Sequence, residues 1–305
     1  MTINWYPGHM HKARKDILQT LKHIDLIIEL VDARLPFSSQ NPIIAQWRQE
    51  KPTLIILNKS DLADASYTES WQIYFEQKTN IQTLAYHKDQ PSNLEKISRL
   101  CRTMTPRAIS DVRATQAMVL GIPNVGKSTL INALVGRNIA KVGDEPAITK
   151  RQQKIRVDNQ ITLHDTPGIL WPRIENPNSG YRLAITGAIK NTAVTFEDIG
   201  DYAAEYLLEH YPNSLQERYQ FKNFPKNAVD CLEAIGARRG TRQAGGSVNL
   251  HKAAEILIHD FRSGNLGALS LETPEHIEKE LIEVRENQRR KKEAQRQRKL
   301  RGKNG

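Results

Sequence analysis

Two stretches, IDLIIELVDA from Ile24 and TLIILNK from Thr53, are apolar and β-branched with no alternation of polarity. That is the pattern of strands buried on both faces. IQTLAY from Ile81 and QAMVLGI from Gln116 read the same way. Segments of helical periodicity intervene at about 10–23, 41–50, 68–78, 92–104 and 127–137. Such alternation predicts a mostly parallel sheet with helices on both faces. KIRVDNQITLHD differs, because two strand-like runs meet at Asp158–Asn159. It predicts a hairpin, and hence one antiparallel edge strand.

Past Trp171–Pro172 the texture changes to the polar RIENPNSG and then to helical patterns such as FEDIGDYAAEYLLEHY and LHKAAEILIHDFRSG. Asn249 before the latter and Gly264 after it have the chemistry of caps. The expected organisation is an α/β domain over 1–175, a mainly α-helical domain over 176–283 and a tail over 284–305.

Charge gives that tail its character. The chain carries 44 Lys and Arg against 34 Asp and Glu, a net +10. Arg285–Lys303 alone holds ten basic and two acidic residues, eight of the net ten. With no apolar face it is expected to be disordered, or helical only when bound. Hydrophobic residues at 39% suffice for a sizeable core. No signal-like or membrane-length apolar run occurs, and two distant cysteines, Cys101 and Cys231, fit reduced thiols. A cytoplasmic protein without a membrane partner, and a monomer, is the expectation.

The chemistry lies in three motifs. GIPNVGKST, residues 121–129, follows an apolar strand and opens a helix, the setting of a phosphate-binding loop. Gly121 and Gly126 allow the backbone N–H groups of a segment including Asn124 and Val125 to wrap phosphates. Lys127 is placed for the β and γ phosphates, Ser128 for magnesium, and Thr129 for the α phosphate. Asp165 of DTPG ends the second hairpin strand, where a carboxylate can hold magnesium through water, and the Gly168 amide can face the γ phosphate. Thr149, in EPAITK, is positioned as a switch threonine closing on magnesium. NKSD follows a strand directly: Asp61 can accept from N1–H and the 2-amino group of guanine, Asn58 can hold the loop and purine N7, and the Lys59 stem can cover the base beside Ser60. Adenine would leave the Asp61 carboxylate facing an unpaired acceptor, so GTP is favoured over ATP.

The order of the motifs is inverted relative to ordinary GTPases, in which the phosphate loop comes first. Each motif sits on a loop at the C-terminal ends of parallel strands, so the site depends on strand positions and not on chain order. The fold expected is therefore α/β, a circularly permuted P-loop GTPase domain followed by a second, helical domain. The break falls just after DTPG, which would connect the γ-phosphate-sensing loop directly to the second domain.

With WYPGHMHKA, VDARLP, NKSD, GIPNVGKSTLIN, ITKRQQ, DTPGIL and RRG…GG…AAEILIHDFRSGNLG, the chain resembles the ribosome-biogenesis GTPase A (YlqF) family over about residues 4–275. The resemblance implies GTP hydrolysis coupled to late assembly of the large ribosomal subunit, with the C-terminal domain contacting ribosomal RNA. Ala147 stands where the family usually has glycine. TLAYHKDQ departs from the usual Ser-Ala guanine loop, with Ala85 at the corresponding position.

Ile169 follows DTPG where Ras-type enzymes carry a water-orienting glutamine, so catalysis must be assembled from elsewhere and be slow in the isolated protein. Asn124 matches the asparagine associated with potassium in GxxNxGKS loops, and a loop-bracing amide is the alternative. The resemblance points to His9 as a histidine supplied to the switch region; a surface or capping histidine is the alternative. ARRGTRQAGGS, with Arg238, Arg239 and Arg242, suits RNA phosphates. The rival to a GTPase timing its release from a ribosomal particle is an RNA-binding chaperone holding GTP as a structural ligand.

Overall fold

The computed structural model describes residues 6–105, 113–140, 152–190, 194–243 and 245–301, with side chains through 295. Thr149 and Ala147 lie outside the described residues. The first half alternates as the apolar pattern requires: α1 (Gly8–Leu21), β1 (Leu26–Asp32), α2 (Pro36–Ser39), α3 (Pro42–Arg48), β2 (Thr53–Asn58), α4 (Ala65–Glu76), β3 (Ile81–Tyr86), α5 (Ser92–Thr103), β4 (Thr115–Gly121), α6 (Lys127–Val135), β5 (Gln153–Arg156) and β6 (Ile161–Asp165). The helix expected at 41–50 is α3, which Pro42 starts and Asn41 caps by accepting from the Ile43 amide at 3.0 Å; the short α2, started by Pro36, precedes it and was not expected.

The six strands form one sheet in the order β3-β2-β1-β4-β6-β5. Every pair is parallel except β5–β6, so the hairpin supplies the antiparallel edge. Residues of β1, β2 and β4 are buried throughout, as unalternated apolar runs should be. In α1, Met10, Ala13, Ile17 and Leu21 face the core at helical spacing and leave basic residues outside. The C-terminal ends of β1, β2, β4 and β6 converge on one rim, which brings VDARLP, NKSD, the phosphate loop and DTPG together.

The second half is helical: α7 (Pro177–Ile185), α8 (Phe196–His210), α9 (Pro212–Tyr219), α10 (Ala228–Arg238), α11 (Leu250–Arg262) and α12 (Pro274–Arg301). Asn249 caps α11 through the Lys252 amide at 3.0 Å, and Gly264 follows with φ +76°. The chain then returns to the sheet. The Leu269 amide donates to the Leu62 carbonyl at 3.0 Å and the Leu271 amide to the Arg34 carbonyl at 2.7 Å. Trp71 Nε1 donates to the Glu272 carbonyl at 3.1 Å, and Ile277 of α12 joins the cluster of Val31, Trp71 and Phe75.

A buried polar knot fastens this return. Arg182 of α7 pairs with Glu280 of α12 at 2.6 Å and with Glu272 at 3.5 Å, while the Ser38 amide donates to Glu272 at 2.9 Å. Burial so complete is tolerated only because each charge has partners.

Where the sequence predicts a tail that is disordered, or helical only when bound, α12 continues to Arg301. The segment contains no proline, its residues are mostly good helix formers, and i,i+4 pairs such as Arg289–Glu293 at 3.1 Å support it. From residue 281 to 295 its side chains are half-buried or exposed. No helix among the described residues is long and apolar enough to cross a membrane.

Candidate functional site

The phosphate loop leaves β4 at Gly121 and enters α6 at Lys127. Gly126 caps the helix at φ +100°, and a Cβ there would collide with the Asn58 side-chain amide. Asn58 Nδ2 donates to the Val125 carbonyl at 2.6 Å, so the first residue of NKSD holds the phosphate loop itself. Lys127 Nζ lies inside the loop, donating to the carbonyls of Ile122 at 2.8 Å and Gly121 at 3.2 Å. Burial pulls its pKa down to about 8, against the attraction of Asp165. Ser128 and Thr129 follow, half-buried, in the first turn of α6.

Asp165 ends β6 with its carboxylate buried, and neither oxygen finds a hydrogen-bond partner among the described residues. Burial raises its pKa to about 6, opposed by Lys127 and the Thr166 amide. An orphaned buried carboxylate beside a phosphate loop and the Ser128 hydroxyl is the donor set a magnesium ion suits. No cluster of three or more His, Cys, Asp or Glu exists among the described residues. A magnesium ion here would rely on few protein ligands plus phosphate and water, as it does in nucleotide sites.

DTPG lies directly against the loop. A Cβ at Gly168 would sit 2.8 Å from Pro123 backbone atoms and 3.1 Å from Lys127 Nζ. The Ile169 amide donates to the Gly121 carbonyl at 3.3 Å, and its side chain is 1% exposed. The residue occupying the usual glutamine position is therefore a core residue. Asn41 Nδ2 donates to the Ile169 carbonyl at 2.9 Å, and the Leu170 amide contacts Met10 Sδ at 3.5 Å. Met10 thus pins the first turn of α1 to the segment after DTPG, and exposed His9 is its chain neighbour.

On the guanine side, Lys59 adopts the left-handed conformation at φ +60°, and Ser60–Leu62 form a short 3-10 turn that leaves Asp61 exposed. Lys59 Nζ donates to Asp32 Oδ2 at 3.0 Å and to the Asn124 carbonyl at 3.1 Å. Asp32 is gripped by Arg34, whose Nε and Nη2 reach its two oxygens at 2.9 and 2.8 Å. Burial alone would raise the Asp32 pKa, but Arg34 and Lys59 drive it far below the ordinary carboxylate range. Ala85, at the end of β3, is in register with Leu57 immediately before NKSD.

Asn124 takes φ +58°, and its Nδ2 donates to the Gly187 carbonyl at 2.8 Å. Gly187 follows α7, whose last carbonyls are held by Arg262: Nε to Ile185 at 2.6 Å and Nη2 to Ala184 at 2.8 Å. Of the two roles open to Asn124, bracing is visible, and its partner belongs to the helical half. Asp32, Arg34, Asn41 and Gly187 receive no role from sequence. The first two stand in VDARLP, whose adjacent opposite charges at a strand end were the available signal.

The phosphate loop, the buried Asp165 carboxylate and the NKSD motif meet on one rim of a sheet whose chain order starts in the middle; this defines a circularly permuted P-loop GTPase. The family description "50S ribosome-binding GTPase" matches residues 116–207. Ribosome biogenesis GTPase A of Bacillus cereus is 42% identical over 291 residues, covering 93% of this chain and 98% of that one. The probable ribosome biogenesis GTPase A of Mycoplasma genitalium is 34% identical, covering 88% and 96%. The GNP-bound crystal structure of YlqF from T. maritima superposes with a TM-score of 0.63 at 25% identity, covering 87% of this chain and 99% of that one. The chain belongs to the ribosome biogenesis GTPase A family.

Proposed function

We propose that this protein hydrolyses GTP and couples the hydrolysis to a late step in assembly of the large ribosomal subunit. The observation that carries the reading is the Asn58–Val125 bond, which ties guanine recognition to the phosphate loop within one site. Asp61 would read the guanine edge, with Ser60 and Ala85 beside the base and Lys59 covering it. Asn124 through Thr129 and the Gly168 amide would cradle the phosphates, with Lys127 leaving its carbonyls for the β and γ oxygens. Ser128, Thr149 and Asp165 would hold magnesium, which when bound offsets negative charge on the β and γ phosphates.

His9 would supply what Ile169 cannot, a polar group to position water. Its place beside Met10, which touches the segment after DTPG, supports this role. A potassium ion near Asn124 would add positive charge where an arginine finger otherwise acts. Equal turnover in potassium and sodium salts would remove that ion from the scheme. Arg238, Arg239 and Arg242, in and after the last turn of α10, and the basic end of α12 would meet ribosomal RNA.

The route from nucleotide to RNA runs through the Asn124–Gly187 contact into α7 and α11. Co-sedimentation with large subunits under a non-hydrolysable GTP analogue against GDP, alongside turnover with and without subunits, tests the proposal. Tighter association in the analogue state and stimulated turnover are expected. Nucleotide-independent association with no stimulation would leave GTP as a structural ligand.

A further inference from the structure

The sheet has a second polar recess, unrelated to the nucleotide rim. It encloses about 520 Å³ and is lined by Gln19, Thr20, His23, Arg113, Gln116, Lys154 and His164. Gln116, His164 and Lys154 lie on one face of β4, β6 and β5: Lys154 pairs across from His164, and His164 Nε2 is 3.0 Å from Gln116 Oε1. Asp165 is the next residue after His164. Successive strand side chains project to opposite faces, so the recess and the magnesium carboxylate lie on opposite sides of β6.

Its chemistry is one-sided. The lining contains two imidazoles, a guanidinium, an ammonium, two amides and a hydroxyl, with no apolar side chain. The one carboxylate at its edge, Asp25, is engaged by Arg113 at 2.8 Å and by the Gln116 amide at 2.8 Å. Lys154 has no ion-pair partner among the described residues. Donors outnumber acceptors in the lining, and an anion with several oxygens would correct this.

The recess is also the end of a track. Lys12, Lys15, Gln19 and Lys22 recur at three- and four-residue spacing, so they share one face of α1 and its C-terminal end, and all are exposed. Asp16 is the one acid on this helix and is half-buried. The stripe runs about 16 Å, at ~1.5 Å per helical residue, from near His9 down to His23.

We infer that this face of the GTPase domain binds RNA backbone phosphates, with one phosphate seated among His23, Lys154 and His164 and its neighbours along α1. A repeating anion suits a charged stripe better than a compact one does. The lining is polar and basic, and Leu18 is the one exposed large apolar side chain among the described residues of α1, which favours a phosphate backbone over a protein partner. The inference rests on the reading that this chain binds ribosomal RNA. It adds a second contact, on different elements from the arginine loop, that sets how the domain lies on the particle.

Full-length Lys154→Glu and the double variant Lys15→Glu/Lys154→Glu are compared with the parent and with Arg238→Ala/Arg242→Ala. Binding to purified large subunits and to a short RNA duplex is measured across potassium chloride concentrations. Lys154 and Lys15 are exposed, so folding and nucleotide affinity should be unchanged, and Lys154→Gln checks that loss of charge suffices. Subunit affinity should fall roughly tenfold for Lys154→Glu, with the salt slope shallower by about one. Imidazole resonances of His23 and His164 should move with the duplex and little with inorganic phosphate. Equal shifts with inorganic phosphate would make the recess a free-phosphate site and overturn the RNA assignment. Unchanged affinity and slope, with the arginine variant impaired, would overturn the inference alone. A parent that binds neither subunits nor duplex would overturn the inference and the functional reading together.

Discussion

Asn58, at the end of β2, donates its side-chain amide to the carbonyl of Val125 in the phosphate loop at 2.6 Å. The two residues lie 67 positions apart, yet the NKSD motif and the phosphate loop meet in this one bond. Asn58→Ala would leave the buried Val125 carbonyl unpaired and remove the wall against which Gly126 fits. A cost of about 1–3 kcal/mol is expected for a buried unmet partner, so GTP and GDP should both bind roughly ten- to a hundredfold more weakly. Fluorescent-nucleotide titration measures it. Parental affinity would mean that the loop keeps its form unaided.

Asp61 is exposed on its short turn, ready to accept from a base. Asp61→Asn places a donor where guanine offers donors and xanthine offers an oxygen. GTP affinity should fall by at least tenfold, one lost charge-assisted pair being worth about 1.5–3 kcal/mol, and XTP should gain. Equal use of GTP by parent and variant with no gain for XTP would remove NKSD from base recognition.

Much of this site is readable from the chain because its parts are local. β1, β2 and β4 announce themselves by unbroken apolar runs, and the phosphate loop by glycines at a fixed spacing. What sequence misses is long-range. Asn41 reaches Ile169, Asn124 reaches Gly187, and Glu272 returns from the helical half to Ser38. None of these pairs leaves a periodic trace, since each depends on two segments meeting only after the sheet has formed. α12 runs on into the segment expected to be disordered, or helical only when bound, because residues rich in charge and poor in apolar groups can still favour helix.

Asp165 and Lys127 predict a pH dependence. The Asp165 carboxyl is raised by burial from 3.8 to about 6. Folding of the metal-free protein therefore takes up a proton between these values, and its stability falls as pH rises through that window. At pH 7 the ionised carboxylate is an unfavourable burial that magnesium would relieve. Asp165→Asn should thus raise the thermal midpoint of metal-free protein at pH 7 by a few degrees, roughly 2–4 °C per kcal/mol. The same change should abolish magnesium-dependent tightening of GTP binding. In the parent, that tightening should weaken as pH falls below about 6. A variant that melts lower without metal, or retains the magnesium effect, would contradict this role for Asp165.

His9 is exposed, while its neighbour Met10 is fully buried against the segment following DTPG. His9→Ala should therefore leave nucleotide affinity and the melting temperature nearly unchanged. Turnover stimulated by large subunits should fall on the order of a hundredfold, the usual worth of one proton-transfer or water-positioning group. Single-turnover hydrolysis with saturating subunits separates this from weakened docking. Unchanged stimulated turnover would return His9 to the surface.

α12 allows the basic segment to be removed without disturbing the fold. Ile277 and Glu280 are its last buried residues among those described, and the side chains from 281 to 295 are half-buried or exposed. Truncation after residue 284 keeps the Arg182–Glu280 pair and the Trp71–Glu272 contact, so the domains should remain fastened and GTP binding unaltered. What the cut removes is most of the net charge. Each phosphate neutralised by a basic group adds to the salt dependence of binding. The full-length protein should therefore lose subunit affinity steeply as potassium chloride rises, and the truncated form less steeply. Preference for the GTP state should survive in both, because the Asn124–Gly187 contact and the buried knot at Arg182 lie inside the retained chain. Subunit binding against salt, measured for both forms with GTP analogue and GDP, decides the matter. Identical slopes would make the segment a passive extension and leave RNA contact to the loop around Arg238–Arg242 and the face of α1.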